Sequence, residues 1–153
     1  MLVCLFGWGT SLSGGYVLSL AADLKNIQAV MVQVPYVDGA ETAKHYPLQR
    51  YPEALKCSSQ DYMGSKMGLA ATTLPVVDQY KLCFLPTSDS YYGYHSIVNP
   101  DYYWSGEVPA RVFFSLMRYR PIQFVRKINI PVLFIAAKQD SLVPLASSRE
   151  AAT

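Results

Sequence analysis

The sequence predicts an α/β fold: a parallel sheet with helices packed against it and a long helical insertion between two of its strands. Three observations predict it. An apolar run, Met1 to Trp8, passes through the small residues Gly9-Thr10-Ser11-Leu12-Ser13-Gly14-Gly15 into a helix-like stretch. A second, β-branched run spans Ile27 to Val34, and a third of the same type spans Ile130 to Ala137. Strand, turn, helix and strand within about 35 residues make one βαβ unit, and such crossovers are nearly always right-handed and parallel.

The elements follow in order. Leu2, Val3, Cys4, Leu5 and Phe6 form a continuous apolar run, the pattern of a strand covered on both faces in the middle of a parallel sheet, with Cys4 as a small buried apolar residue. A central strand at the very start implies a chain that begins part-way through a fold. Tyr16, Val17, Leu18, Leu20, Ala21 and Ala22 supply a helix without breakers, ending near Asp23 to Asn26, and Pro35 stops the strand that follows. From Gly39 to Arg120 the texture changes, with six tyrosines between Tyr80 and Tyr103, several prolines, and helical patterning clearest at Glu107 to Tyr119. So aromatic a stretch is expected to fold as a cap, not to serve as a linker. The third strand leads to Lys138-Gln139-Asp140 and a turn containing Pro144, and Leu145 to Ala152 begins another helix. The expected organisation is one incomplete domain: a core βαβ over 1–38, a cap over 39–120, and a core strand with its turn over 121–153.

Composition narrows the function. At 153 residues, 51% of them hydrophobic, with a mean hydropathy of +0.12, the chain has the material for one globular core. A net charge of +2 and a basic cluster limited to Arg118, Arg120, Arg126 and Lys127, broken by Pro121, argue against nucleic-acid binding. Cys4, Cys57 and Cys83 are odd in number and lack C-x-x-C spacing, so no disulfide framework or zinc site is expected, and a reducing, cytoplasmic location is. Met1 to Trp8 lacks a basic n-region, and no apolar run approaches the roughly 18 residues of a membrane span. No metal or organic cofactor is implied.

The chemistry is expected at the strand ends, since ligands of open parallel sheets sit beyond the carboxyl ends of the strands. Ser11 lies on a sharp strand-to-helix turn between small residues, the arrangement that makes a hydroxyl prominent and aims it at a carbonyl carbon. In the usual G-x-S-x-G pattern the fifth position is glycine; here it is Ser13, a small residue. Asp140 follows the third strand. If the three strands are neighbours in chain order, Ser11 and Asp140 originate roughly 10 Å apart, with room for an imidazole between them. The backbone N–H of Leu12, at a helix start, would be one oxyanion donor.

These residues carry a resemblance. FGWGTSLSGGYVLSLAADLKNIQAVMVQVPYVDG resembles the nucleophile-elbow segment of α/β-hydrolases, INIPVLFIAAKQDSLVP resembles their later strand and acid turn, and YYWSGEVPARVFFSLMRYRPIQFVRKI resembles their cap-to-core segments. The likeness is greatest to the dienelactone hydrolase, serine aminopeptidase and polyketide-transferase-like group. It implies Ser11 as nucleophile, Asp140 as triad acid, the Leu12 amide in the oxyanion hole, and a small-molecule acyl substrate. The resemblance places the general base after a further strand, downstream of the acid. Only 13 residues follow Asp140, none of them histidine, and the sheet segment whose loop gives the second oxyanion N–H is absent as well. The chain therefore looks like the middle of an enzyme, expected to have little activity by itself and to self-associate through uncovered sheet edges, without membrane partners.

Blander and rival readings stand beside these. Ser11 could simply cap the following helix, and Ser13 is a competing hydroxyl. Asp140 could be an ordinary turn residue; Asp38, after the middle strand, could be a cap or an alternative acid. His45 and His95, the only histidines, precede Asp140 and fall in the expected cap, the wrong order for this triad. The tyrosines at 91–94 and 102–103 pack or line a pocket. Gly7-Trp8-Gly9 resembles the opening of a dinucleotide-binding loop, but Leu12 falls where its third glycine belongs. A degenerate hydrolase-fold protein that acts through a partner is the non-catalytic alternative.

Overall fold

The computed structural model describes residues 4–99 and 101–153, so Leu2 and Val3 of the expected first strand lie outside the described residues. The chain runs β1 (Leu5–Thr10), α1 (Ser11–Asp23), β2 (Ile27–Gln33), α2 (Gly39–Ala43), a 3-10 turn (Leu48–Arg50), α3 (Tyr51–Lys66), β3 (Thr73–Pro75), α4 (Ser88–Ile97), β4 (Glu107–Pro109), α5 (Val112–Arg118), α6 (Ile122–Val125), β5 (Val132–Ile135) and α7 (Leu145–Ala151). It divides into two compact units, one made of the segment ending at Lys44 together with Met117–Thr153, the other of His45–Leu116.

The first unit is built on a parallel sheet in the order β1-β2-β5. Register places Gly9, Val32 and Phe134 side by side on one face and Trp8, Met31 and Leu133 on the other. The first face carries the core: Leu18 of α1, Val32, Val37 and Ala151 are buried together, with Val17, Ile122, Val125 and Phe134 packed against them. α1 can approach the sheet this closely because it has glycine where it crosses the segment after β2. A Cβ on Gly15 would stand 2.3 Å from the carbonyl oxygen of Tyr36.

The second face departs from the sequence expectation. Phe6 is 74% exposed, Trp8 62% and Leu133 55%, and Cys4, just before β1, is exposed as well. β1 is an edge of this three-stranded sheet, covered by α1 on one face. An apolar run reports suitability for burial on both sides, and the neighbours that would complete it are not among the described residues.

The second unit has its own core, with Ala54, Val77, Leu82, Cys83, Ala110 and Phe113 buried. Tyr46, Tyr51 and Phe84 set their rings edge-on around Phe113 at centroid distances of 5.2, 5.8 and 6.2 Å, respectively. β3 and β4 pair antiparallel. Glu107–Pro109 is thus a strand, not the start of the helix expected over Glu107 to Tyr119, which forms only from Val112. Pro109 has no N–H to give a helix and biases Val108 toward extended backbone. Asp61, buried in α3, accepts from the backbone amides of Thr72 and Arg111 at 2.8 and 2.9 Å and from the Arg111 guanidinium at 3.3 Å, tying α3 to the segments flanking β3 and β4.

Candidate active site

Ser11 is one of two non-glycine residues, among those described, whose backbone is left-handed. β1 ends at Thr10 in extended conformation, and Ser11 then turns into α1 with φ at +49°, a left-handed value that a residue with a Cβ rarely adopts. Its side chain is exposed. Three features hold this turn. The Ser13 hydroxyl accepts from the Thr10 amide at 2.9 Å and donates to the Thr10 carbonyl at 2.7 Å. The Tyr36 amide donates to the Ser11 carbonyl at 2.8 Å. Gly9 leaves the space the turn needs, since a Cβ there would come within 2.5 Å of the Ser13 carbonyl oxygen.

With both its donor and its acceptor engaged by Thr10, Ser13 is committed to the turn. Leu12, half-buried, sits in the first turn of the 13-residue α1, where backbone amides lack intrahelical acceptors and the helix dipole favours negative charge.

β2 lies between β1 and β5, and all three strands run the same way. Ser11 and Asp140 therefore both follow carboxyl ends, on the same rim, from strands about 10 Å apart across two strand spacings. β5 is shorter than the sequence suggests, ending at Ile135, so Asp140 comes off a turn and not directly off the strand. It is half-buried, and its Oδ1 accepts from the Leu142 and Val143 amides at 2.9 and 2.8 Å. Two amides on one oxygen fix the orientation of the carboxylate.

Asp38 has a different occupation. Buried at the start of α2, it accepts from the amides of Ala40 and Glu41 and from both the Nε and Nη2 of Arg120. Burial by itself pushes its carboxyl up, but the Arg120 hydrogen bond, the Glu41 amide and the Arg120 charge outweigh it and hold the group below its ordinary value. Both oxygens are spoken for, so this carboxylate is a clasp and not a free acid. Both histidines belong to the second unit: His45 is exposed, and His95 is exposed on α4 with its Nδ1 2.8 Å from the Tyr91 carbonyl. Among the described residues no group of three or more His, Cys, Asp or Glu is placed to hold a metal ion, and no helix is long and apolar enough to cross a membrane.

Sequence reasoning missed the pair of hydrogen bonds between Ser13 and Thr10, the clasp, and a second left-handed residue on the rim, Val34 with φ at +41°. Only Ser13 had a local signal, a hydroxyl three residues after Thr10, the spacing of a capping box.

No family model matches the chain. The quorum-quenching protein AidA of Acinetobacter baumannii is 28% identical over 138 residues, covering 90% of this chain and 45% of that protein. The crystal structure of the α/β-hydrolase GrgF from Penicillium sp. sh18 superposes with a TM-score of 0.73 at 16% identity, over 95% of this chain. The fold is that of the α/β-hydrolases. DcsB, solved as a complex with its substrate analogue, agrees with a TM-score of 0.69 at 17% identity over 94% of this chain. In each case the match takes up less than half of the other protein, 45% of AidA and 49% of both GrgF and DcsB, so this chain spans about half the length of the proteins it matches.

Proposed function

We propose that the chain carries the nucleophile and acid of a serine hydrolase that cleaves esters, thioesters or related acyl bonds. Ser11 Oγ adds to the acyl carbon and passes its proton to a general base. The Leu12 amide stabilises the oxyanion, the protonated leaving group departs, and water releases the acyl group from Ser11. Asp140 would orient the base.

The observation that supports this reading most is the exposed, left-handed Ser11 between the end of a parallel strand and a helix start. A fold alone would not support it, because hydrolase folds also host other functions. The inserted unit His45–Leu116 is proposed as the cap, on its place in the chain between β2 and β5 and its own core. We place the protein in the cytoplasm on the cysteine pattern. Turnover by the 153-residue chain alone should be weak, since no histidine follows Asp140.

Prolonged exposure to a fluorophosphonate probe, with the modified residue mapped by mass spectrometry, tests the assignment. Labelling should be confined to Ser11 and disappear in Ser11→Ala; undiminished labelling of that variant would end the proposal. A second reading, a hydrolase-fold protein that acts by binding partners or itself, is favoured by the uncharged, exposed face of Phe6, Trp8 and Leu133. It predicts no labelling of Ser11 under the same conditions.

A further inference from the structure

We propose that Ser13 is a positioning residue, whose hydroxyl holds Ser11 in the left-handed conformation that presents its Oγ. This rests on the reading of Ser11 as nucleophile for its catalytic meaning, though not for its geometry.

The argument starts from which peptide planes set a residue's conformation. Rotation about φ of Ser11 turns the Thr10–Ser11 peptide, whose carbonyl oxygen is that of Thr10. Rotation about ψ turns the Ser11–Leu12 peptide, whose carbonyl oxygen is that of Ser11. Both planes are anchored. The Thr10 carbonyl accepts from the Ser13 hydroxyl at 2.7 Å, and the Ser11 carbonyl accepts from the Tyr36 amide at 2.8 Å. The same Ser13 oxygen takes the Thr10 amide at 2.9 Å, so Thr10 is gripped at both of its polar groups.

Relaxing Ser11 from +49° to ordinary helical φ would swing the Thr10 carbonyl off the Ser13 hydroxyl. Of the two anchors, only this one is made by a side chain. Glycine, the residue of the usual pattern at this position, has no hydroxyl with which to make it. The serine at position 13 is therefore a substitution with a consequence, because the direction of the Ser11 Cβ, and with it the Oγ, is set by the backbone angle that Ser13 restrains.

A cap alone would make a different prediction: losing the Ser13 bonds would weaken the start of α1 and leave Ser11 as it is. The distinguishing measurement is the backbone of Ser11 in solution. In the labelled 153-residue protein, a left-handed Ser11 gives a strong intraresidue NOE between its amide proton and Hα, and an ordinary helical residue gives a weak one. The strong NOE is expected in the wild type and in Ser13→Thr, which keeps a hydroxyl, and is expected to be lost in both Ser13→Ala and Ser13→Gly. Fluorophosphonate labelling of Ser11 should fall with it, by up to about 100-fold, the scale on which a misplaced reacting group costs rate.

A strong NOE that survives in Ser13→Ala or Ser13→Gly, or that is absent from the wild type or from Ser13→Thr, would overturn the proposal. If the NOE follows this pattern and Ser11 never labels, the nucleophile assignment fails and the restraint by Ser13 stands. Should Ser13→Ala fail to fold, the Gly and Thr variants make the same comparison.

Discussion

Arg120 grips Asp38 with two parallel hydrogen bonds, Nε to Oδ1 at 3.0 Å and Nη2 to Oδ2 at 2.7 Å, across 82 residues of sequence. This planar fork on a buried carboxylate fastens the segment after β2 to the segment before α6. Two backbone bonds run beside it, from the Gly39 amide to the Tyr119 carbonyl at 2.9 Å and from the Ile122 amide to the Val37 carbonyl at 3.0 Å.

The clasp predicts an acid-dependent loss of stability. Asp38 is held below its ordinary value of 3.8, so the stability it contributes is fully present above that value and is lost as pH falls through the lower folded-state value. Asp38→Asn should cost about 2 kcal/mol at neutral pH, less than for a fully enclosed pair because the Arg120 side chain is 41% exposed. Urea unfolding at a series of pH values should show the gap between the two proteins constant above about pH 5 and closing below pH 3.8. A gap that does not vary with pH would assign the cost to something other than the charge.

Two glycines in helices should respond oppositely to alanine. At Gly15 the new methyl would meet the Tyr36 carbonyl at 2.3 Å, and strain of about 1–3 kcal/mol should outweigh the gain in helix propensity. At Gly93, in α4, a Cβ meets nothing within 4 Å, so Gly93→Ala should stabilise by up to about 1 kcal/mol. Denaturant midpoints with unchanged slopes would measure both.

In the second unit, Asp61→Ala should be among the most damaging changes. It strips the Thr72 and Arg111 amides and the Arg111 guanidinium of their acceptor, at about 3 kcal/mol. Asp61→Asn keeps one acceptor oxygen and should lose about half as much. Thermal melts of the two variants would rank them.

These predictions also show what was legible in the sequence. α1 and β2 were readable because each holds a run of a single pattern, one free of helix breakers from Tyr16 to Ala22, the other β-branched and closed by Pro35. β4 was not, since Glu107–Pro109 is only three residues long and pairs with β3, a partner more than thirty positions away that no local pattern announces. The turn at Ser11 could be read from its small residues, but its restraint by Ser13 replaces the Glu or Gln that the usual capping signature carries. The Asp38–Arg120 clasp has no local signature at all. Nor could an apolar run at β1 say whether its second face finds a neighbour.

The state of that second face can be measured directly. Trp8 at 62% exposure should be quenched by acrylamide nearly as readily as a free indole, and comparison with Trp8→Phe would isolate its signal from that of Trp104. A Trp8 emission that is shielded and becomes accessible on dilution would mean that a second copy covers the sheet.

The paired segments at Gly39 and Tyr119 form a neck, fastened to the scaffold before the chain departs into its second unit. What lies beyond a closed neck can change in length or be exchanged with little penalty in loop entropy. Grafting a foreign insert between the two segments is the engineering counterpart of that freedom, since its ends would already be held together.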